Sequence, residues 1–133
     1  MTMYINSTGF YIPSGRVYND HFLEVNGLTS DWILKRTGIC SRSKAAEDEG
    51  HNSMGLAAIA NALENLPYDI KDIDLIVSAS YSPYDTVATL AHITQQKYDI
   101  PDMKAVYASA ACSSFVNGLE IVEGYFAMGK AKK

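Results

Sequence analysis

The last apolar segment, residues 115–128, constrains the possible folds more than any other part of the sequence. As a helix, with about 100° between successive residues, its large apolar side chains cover an arc of roughly 240°. They are Phe115, Val116, Leu119, Ile121, Val122, Tyr125, Phe126 and Met128. A surface helix needs an apolar stripe only about 100° wide. This helix is therefore expected to be covered on two sides. It would then have to lie in an inner layer of a larger fold.

The rest of the chain alternates between strand and helix patterns. Residues 73–79 are almost continuously apolar, as parallel strands covered on both faces are. Strands are predicted at residues 3–12, 73–79 and 104–107, and helices at residues 19–25, from 29–31 to Gly38, 51–66, 86–98 and 115–128. This order predicts an α/β fold, with a mostly parallel, mixed sheet and flanking helices.

Composition narrows the function classes. A length of 133 residues suits a single domain, residues 1–133, with its own core. The formal net charge is −4, which gives no basis for binding nucleic acid or an anionic membrane. No signal-peptide pattern, long apolar run or metal-ligand spacing is present. Free thiols at Cys40 and Cys112 in a reducing cytoplasm are the simplest expectation.

Cys112 is the candidate nucleophile. It lies among small residues between the 104–107 strand and the 115–128 helix. Amide N–H groups and the macrodipole at a helix start favour a thiolate, which suits acyl transfer through a thioester. The alternative is a cysteine that only fills space in the core. Local sequence alone leaves both interpretations open, and the expectation for Cys40 is packing.

Three motifs in order resemble β-ketoacyl-acyl-carrier-protein synthase III, a thiolase-like condensing enzyme. They are TGFYIP at residues 8–13, DWILKRTGI at residues 31–39 and AACSSF at residues 110–115. The resemblance covers essentially the whole chain, and it implies the N-terminal half of a thiolase-like fold. Family members are more than twice as long, and their catalytic His and Asn lie in the second half. The chain is therefore expected to be inactive alone, whether it is a truncated protein or a partial gene.

The resemblance also implies the chemistry and the partners. Cys112 would take an acyl group from acyl-coenzyme A and pass it to malonyl-acyl-carrier-protein, without a metal or other cofactor. Trp32 and Arg36 match positions that contact coenzyme A, and Thr37 is expected to add a hydroxyl hydrogen bond to the base. The 104–107 strand matches the strand that pairs with its counterpart in a homodimer. An indole face and a guanidinium suit a purine and a phosphate; without the family context, Trp32 would be a core aromatic and Arg36 a solvated charge.

Two positions depart from the family pattern, and the second of them bears on specificity. Ser114 stands where the family usually has glycine, and Val87, within residues 82–87, replaces an aromatic residue. In the family that aromatic reaches across the dimer and limits the partner's acyl pocket. A smaller side chain favours a longer or branched primer, or a specialised pathway.

Two alternative functions remain. The first is a thiol acyltransferase or hydrolase, but the glycines of a nucleophile elbow are missing around Cys112. The second is a non-catalytic binding domain.

Overall fold

The structure is a computed structural model that describes residues 3–83 and 85–133. The chain divides into two compact units. The large unit comprises the residues up to Tyr11 together with His51–Lys133, and the small unit is Ile12–Gly50.

The small unit is an antiparallel strand pair with two helices. Strand β1 (Gly15–Tyr18) pairs with β2 (Ser41–Lys44). Helix α1 (His21–Asn26) and helix α2 (Ser30–Thr37) lie between them in sequence. Both helices fall where the sequence predicts them.

Capping residues define helix α2 at both ends. Thr29 Oγ1 accepts a hydrogen bond from the Trp32 N–H at 3.2 Å, which satisfies one of the free amides of the first turn. Gly38 ends the helix at φ 71°, a left-handed conformation that glycine adopts without steric cost. Ile33 is the residue of this helix that is buried, so the helix is anchored on one side.

The large unit contains a parallel strand pair. Strand β3 (Leu75–Ala79) pairs with β4 (Lys104–Ala108), and Leu75 lies opposite Lys104. The unit's helices are α3 (His51–Leu63), α4 (Leu90–Lys97) and α5 (Ser114–Ala127). Its buried apolar side chains are Leu75, Ala91, Ile100, Met103, Ala108 and Ala131. The predicted α/β class, with parallel pairing and flanking helices, is confirmed.

Helix α5 packs against β3 and β4 and leaves part of its apolar arc uncovered. A Cβ at Gly118 would lie 3.6 Å from Val77 Cγ1, so the helix sits close to the strand. On other faces, Phe115, Val116 and Met128 are 68%, 56% and 59% exposed. No helix in the described part of the chain is long and apolar enough to cross a membrane.

The strand predicted at residues 3–12 is wrong, and the helix predicted at residues 86–98 is wrong at its start. Residues 3–12 form no strand in the described chain; the segment lies along α3, where Ser7 Oγ donates to the Ala62 carbonyl at 2.5 Å. Helix α4 begins at Leu90 rather than at residue 86. The reason is that Asp85 Oδ1 accepts hydrogen bonds from the Val87 and Ala88 amides, which folds these residues into a turn.

Candidate active site

Cys112 lies in a short 3₁₀ turn, Ala111–Ser113, between β4 and α5. Cys112 is a free cysteine and is exposed to solvent. The turn follows the carboxyl end of a parallel strand, the edge at which open α/β sheets bind ligands. The thiol is therefore accessible and stands at the start of a helix of 14 residues.

The backbone of this turn is unusual. Ala111 has φ 48°, a left-handed conformation that is uncommon for a residue with a Cβ. The Ser113 N–H and Oγ both donate to the Ala110 carbonyl, at 3.0 and 2.8 Å. Ser114 Oγ accepts from the Ala110 N–H and donates to the Ala111 carbonyl, each at 2.8 Å. None of these hydrogen bonds uses the backbone N–H of Cys112, which lies just before the start of α5.

Helix α2 carries Trp32, Arg36 and Thr37, and it brings the side chains of Trp32 and Arg36 together. The Arg36 guanidinium carbon lies 4.2 Å from the centroid of the Trp32 ring, a cation–π distance. Both side chains are exposed, whereas the expectation without family context placed Trp32 in the core.

The hydroxyl of Thr37 has local partners. Thr37 Oγ1 donates to the Ile33 carbonyl at 2.8 Å and accepts from the Ile39 N–H at 3.1 Å. Because its single hydrogen is engaged, this oxygen can only accept a further hydrogen bond. A ligand that contacts Thr37 in this conformation must therefore supply a donor.

Val87 lies in the turn before α4 and is 82% exposed. The Asp85 carboxylate holds this turn through the Val87 and Ala88 amides, at 2.7 and 3.1 Å. These two hydrogen bonds, the one from Val87 first, lower the pKa of Asp85 from its ordinary value. Tyr84, in the same predicted segment, lies outside the described residues.

A pocket at the carboxyl ends of β3 and β4, lined by both polar and apolar side chains, was not predicted from the sequence. Its volume is about 270 Å³, and a buried hydroxyl lies in its wall. Thr89 Oγ1 lies 2.9 Å from His92 Nδ1 and 3.4 Å from Ser78 Oγ. The lining residues include Tyr11, His51, Asn52, Ser78, Asp85, Thr89 and Tyr107. Only the folded chain brings together residues so far apart in sequence.

The prediction for Cys40 is wrong. It was expected to pack in the core, but it is an exposed free cysteine immediately before β2. The segment is short and polar, so it has little apolar surface against which a thiol can be buried. The chain therefore carries two accessible thiols, one in each unit.

Comparison with known proteins assigns this architecture to a class. No protein-family model matches the chain. The crystal structure of 3-oxoacyl-[acyl-carrier-protein] synthase III from Aquifex aeolicus superposes with a TM-score of 0.87 at 31% identity. The match covers 96% of this chain and 41% of that chain. The chain therefore has the thiolase-like fold of condensing enzymes.

The relatives make the assignment more specific. β-Ketoacyl-[acyl-carrier-protein] synthase III of Methylococcus capsulatus is 36% identical over 129 residues, 97% of this chain and 40% of the relative. The priming β-ketosynthase of the R1128 polyketide biosynthetic pathway is 30% identical with a TM-score of 0.87, covering 96% and 38% of the two chains. The predicted resemblance to β-ketoacyl-acyl-carrier-protein synthase III is confirmed. The chain spans about 40% of the length of the curated relatives it matches.

Proposed function

We propose that the protein carrying this chain condenses an acyl-coenzyme A primer with malonyl-acyl-carrier-protein, in fatty-acid or related biosynthesis. The Cys112 sulfur attacks the thioester carbonyl, coenzyme A leaves, and an acyl-enzyme forms. Decarboxylation of the malonyl group yields a carbanion that attacks this acyl-enzyme and releases the thiolate. The Cys112 N–H would stabilise the developing oxyanion.

One observation carries this proposal: the accessible Cys112 thiol stands in the turn that starts α5, at the carboxyl end of β4. A thiol there has helix amides beside it and small side chains around it. Similarity to relatives named as synthase III supports the same chemistry. In the family that the chain resembles, the enolate-stabilising His and Asn lie in the second half, and we propose on that basis that the chain alone is inactive.

The proposed coenzyme A contact is the exposed face of α2. The Trp32 indole offers a stacking surface for adenine, and the Arg36 guanidinium offers a charge for phosphate. Thr37 Oγ1 can accept a hydrogen bond, and the adenine amino group is a donor. These residues lie on one short helix, which supports a common ligand.

The second candidate function is a ketosynthase of a specialised pathway with a longer primer. Val87 is small and 82% exposed, and one similar structure is a priming ketosynthase of a polyketide pathway. Under both candidates we propose a cytoplasmic homodimer that works with acyl carrier protein and needs no cofactor, with Val87 at the acyl pocket or the dimer contact.

Acyl loading tests the proposal directly. The protein carrying this chain is incubated with acyl-coenzyme A and digested, and peptides containing Cys112 and Cys40 are compared by mass spectrometry. We expect acylation at Cys112, loss of loading in Cys112→Ala, and unchanged loading in the matched control Cys40→Ala. Absence of acylation at Cys112 would reject the proposal. Transfer to water rather than to malonyl-acyl-carrier-protein would identify a thiol hydrolase instead.

A further inference from the structure

Ser114 is the one residue of the AACSSF motif that departs from the family pattern, in which glycine is usual. It is the first residue of α5, and it is only 5% exposed. Its hydroxyl oxygen accepts from the Ala110 N–H and donates to the Ala111 carbonyl, both at 2.8 Å. A buried hydroxyl therefore closes the loop of backbone that carries Cys112.

The backbone between these two contacts is in a costly conformation. Ala111 has φ 48°, where a Cβ crowds the backbone and where glycine is normally preferred. Such a conformation persists only when its surroundings stabilise it. The Ser114 N–H also donates to the Ala111 carbonyl, so the contact that depends on the Ser114 hydroxyl alone is the hydrogen bond from the Ala110 N–H, which spans Ala111.

We propose that Ser114 is a positioning residue for Cys112. By holding Ala111 in the left-handed conformation, it keeps the thiol at the start of α5. The inference rests on the proposed function, because that function gives the orientation of Cys112 its chemical purpose. Glycine at position 114 has no side chain with which to make these contacts, so this chain stabilises the turn in its own way.

The experiment compares the two thiols within one chain. The rate of alkylation of Cys112 by iodoacetamide is divided by the rate at Cys40, which is exposed and lies in the small unit. We expect Ser114→Ala to lower this ratio about tenfold, the effect of losing one or two hydrogen bonds. Ser114→Thr, which keeps the hydroxyl, should retain most of the wild-type ratio.

Ser113→Ala is the matched control. The Ser113 hydroxyl bonds to the Ala110 carbonyl, but the Ser113 N–H already donates to that same oxygen. We therefore expect a ratio close to that of the wild type. Equal losses in the Ser113 and Ser114 variants would overturn the proposal, because either serine after Cys112 would then have the same effect.

A second substitution tests the cause. Glycine tolerates positive φ. Adding Ala111→Gly to the Ser114→Ala variant should therefore raise the ratio of the Cys112 rate to the Cys40 rate at least threefold. Absence of recovery would overturn the proposed link to Ala111. Should Ser114→Ala fail to fold by circular dichroism, amide hydrogen exchange of wild-type Ala110 decides: protection supports the Ser114 contact, and free exchange refutes it.

The two proposals can fail separately. If the alkylation ratios follow these expectations but acyl-coenzyme A never loads Cys112, the proposed function is wrong and the role of Ser114 in orienting the thiol stands. If loading occurs and Ser114→Ala leaves the ratio unchanged, the function is supported and the positioning role is rejected.

Discussion

At the residue scale, the pairing of Arg36 with Trp32 gives the proposed coenzyme A contact a direct readout. Trp32 is the single tryptophan of the chain, and the Arg36 guanidinium lies 4.2 Å from the centre of its ring. A ligand that stacks on the indole or attracts the guanidinium must change the environment of this fluorophore.

We expect coenzyme A to quench Trp32 fluorescence in the protein carrying this chain. Arg36→Ala should weaken binding by about 1–3 kcal/mol, since a hydrogen bond to a charged group is lost. Lys35→Ala is the matched control, because Lys35 instead forms an exposed ion pair with Asp31. No quenching at millimolar coenzyme A would remove α2 from the proposed site.

Asp85 provides a pH-dependent prediction at the same scale. Its pKa is lowered by the hydrogen bonds from the Val87 and Ala88 amides, so the ionised form stabilises the turn. The contribution is present above the ordinary pKa of the group and is lost as pH falls through the lowered value. We expect the amide signals of Val87 and Ala88 to shift in that acidic window when followed by NMR.

Two variants of Asp85 separate charge from hydrogen bonding. Asp85→Asn keeps an oxygen acceptor that does not titrate, so its turn should persist across the whole pH range. Asp85→Ala removes the acceptor and should release both amides at every pH. A turn that titrates in the Asn variant would show that another group is responsible.

At the element scale, local chemistry made several boundaries predictable. Helix α2 begins after Thr29 and ends at Gly38 because a side-chain cap and a left-handed glycine act within a few residues. Gly129, with φ 66°, lies just beyond α5 for the same reason. The strands β3 and β4 were predictable from their continuous apolar character.

Elements that depend on distant partners were not predictable in the same way. The segment 3–12 has a strand-like composition, yet the Phe10 N–H donates to Asn61 Oδ1 on α3. Strand β2 is short and polar, and only its pairing with β1 defines it. The cavity beside Thr89 likewise depends on contacts between segments that are far apart in sequence.

The packing of this N-terminal segment leads to a prediction about stability. A Cβ at Gly9 would overlap the backbone of Ala58 and Ala62 on α3, so Gly9→Ala should destabilise the protein by about 1–3 kcal/mol. Gly124→Ala in α5 is the control, because a Cβ there has no atom within 4 Å. It should stabilise by about 0.5–1 kcal/mol through helix propensity. Chemical denaturation measures both, and equal effects would contradict the packing.

At the scale of the whole molecule, the motifs identified the proposed site residues because each motif is contiguous. The sequence placed Cys112 at a helix start and Trp32 with Arg36 on one helix, as the structure has them. It did not anticipate the left-handed Ala111 or the two hydrogen bonds of Ser114. These features depend on backbone conformation and hydroxyl orientation, which residue type alone does not determine.

The uncovered surfaces of the large unit predict self-association. In the described sheet, β4 pairs only with β3, and a strand with an open edge readily recruits a copy of itself. Exposed apolar side chains on α5, which include Phe115 and Val116, add a surface that favours contact. We therefore expect a homodimer or larger assembly through β4, with the apolar face of α5 shielded by neighbouring molecules.

Sedimentation equilibrium at tens of micromolar chain measures this association. Val116→Glu should shift the distribution toward monomer, because it places a charge on the uncovered face of α5. Val25→Glu is the matched control, since Val25 is equally an exposed valine but lies in the small unit. A wild-type chain that sediments as a clean monomer would refute the prediction. Equal shifts in both variants would indicate nonspecific hydrophobic association instead of contact through α5.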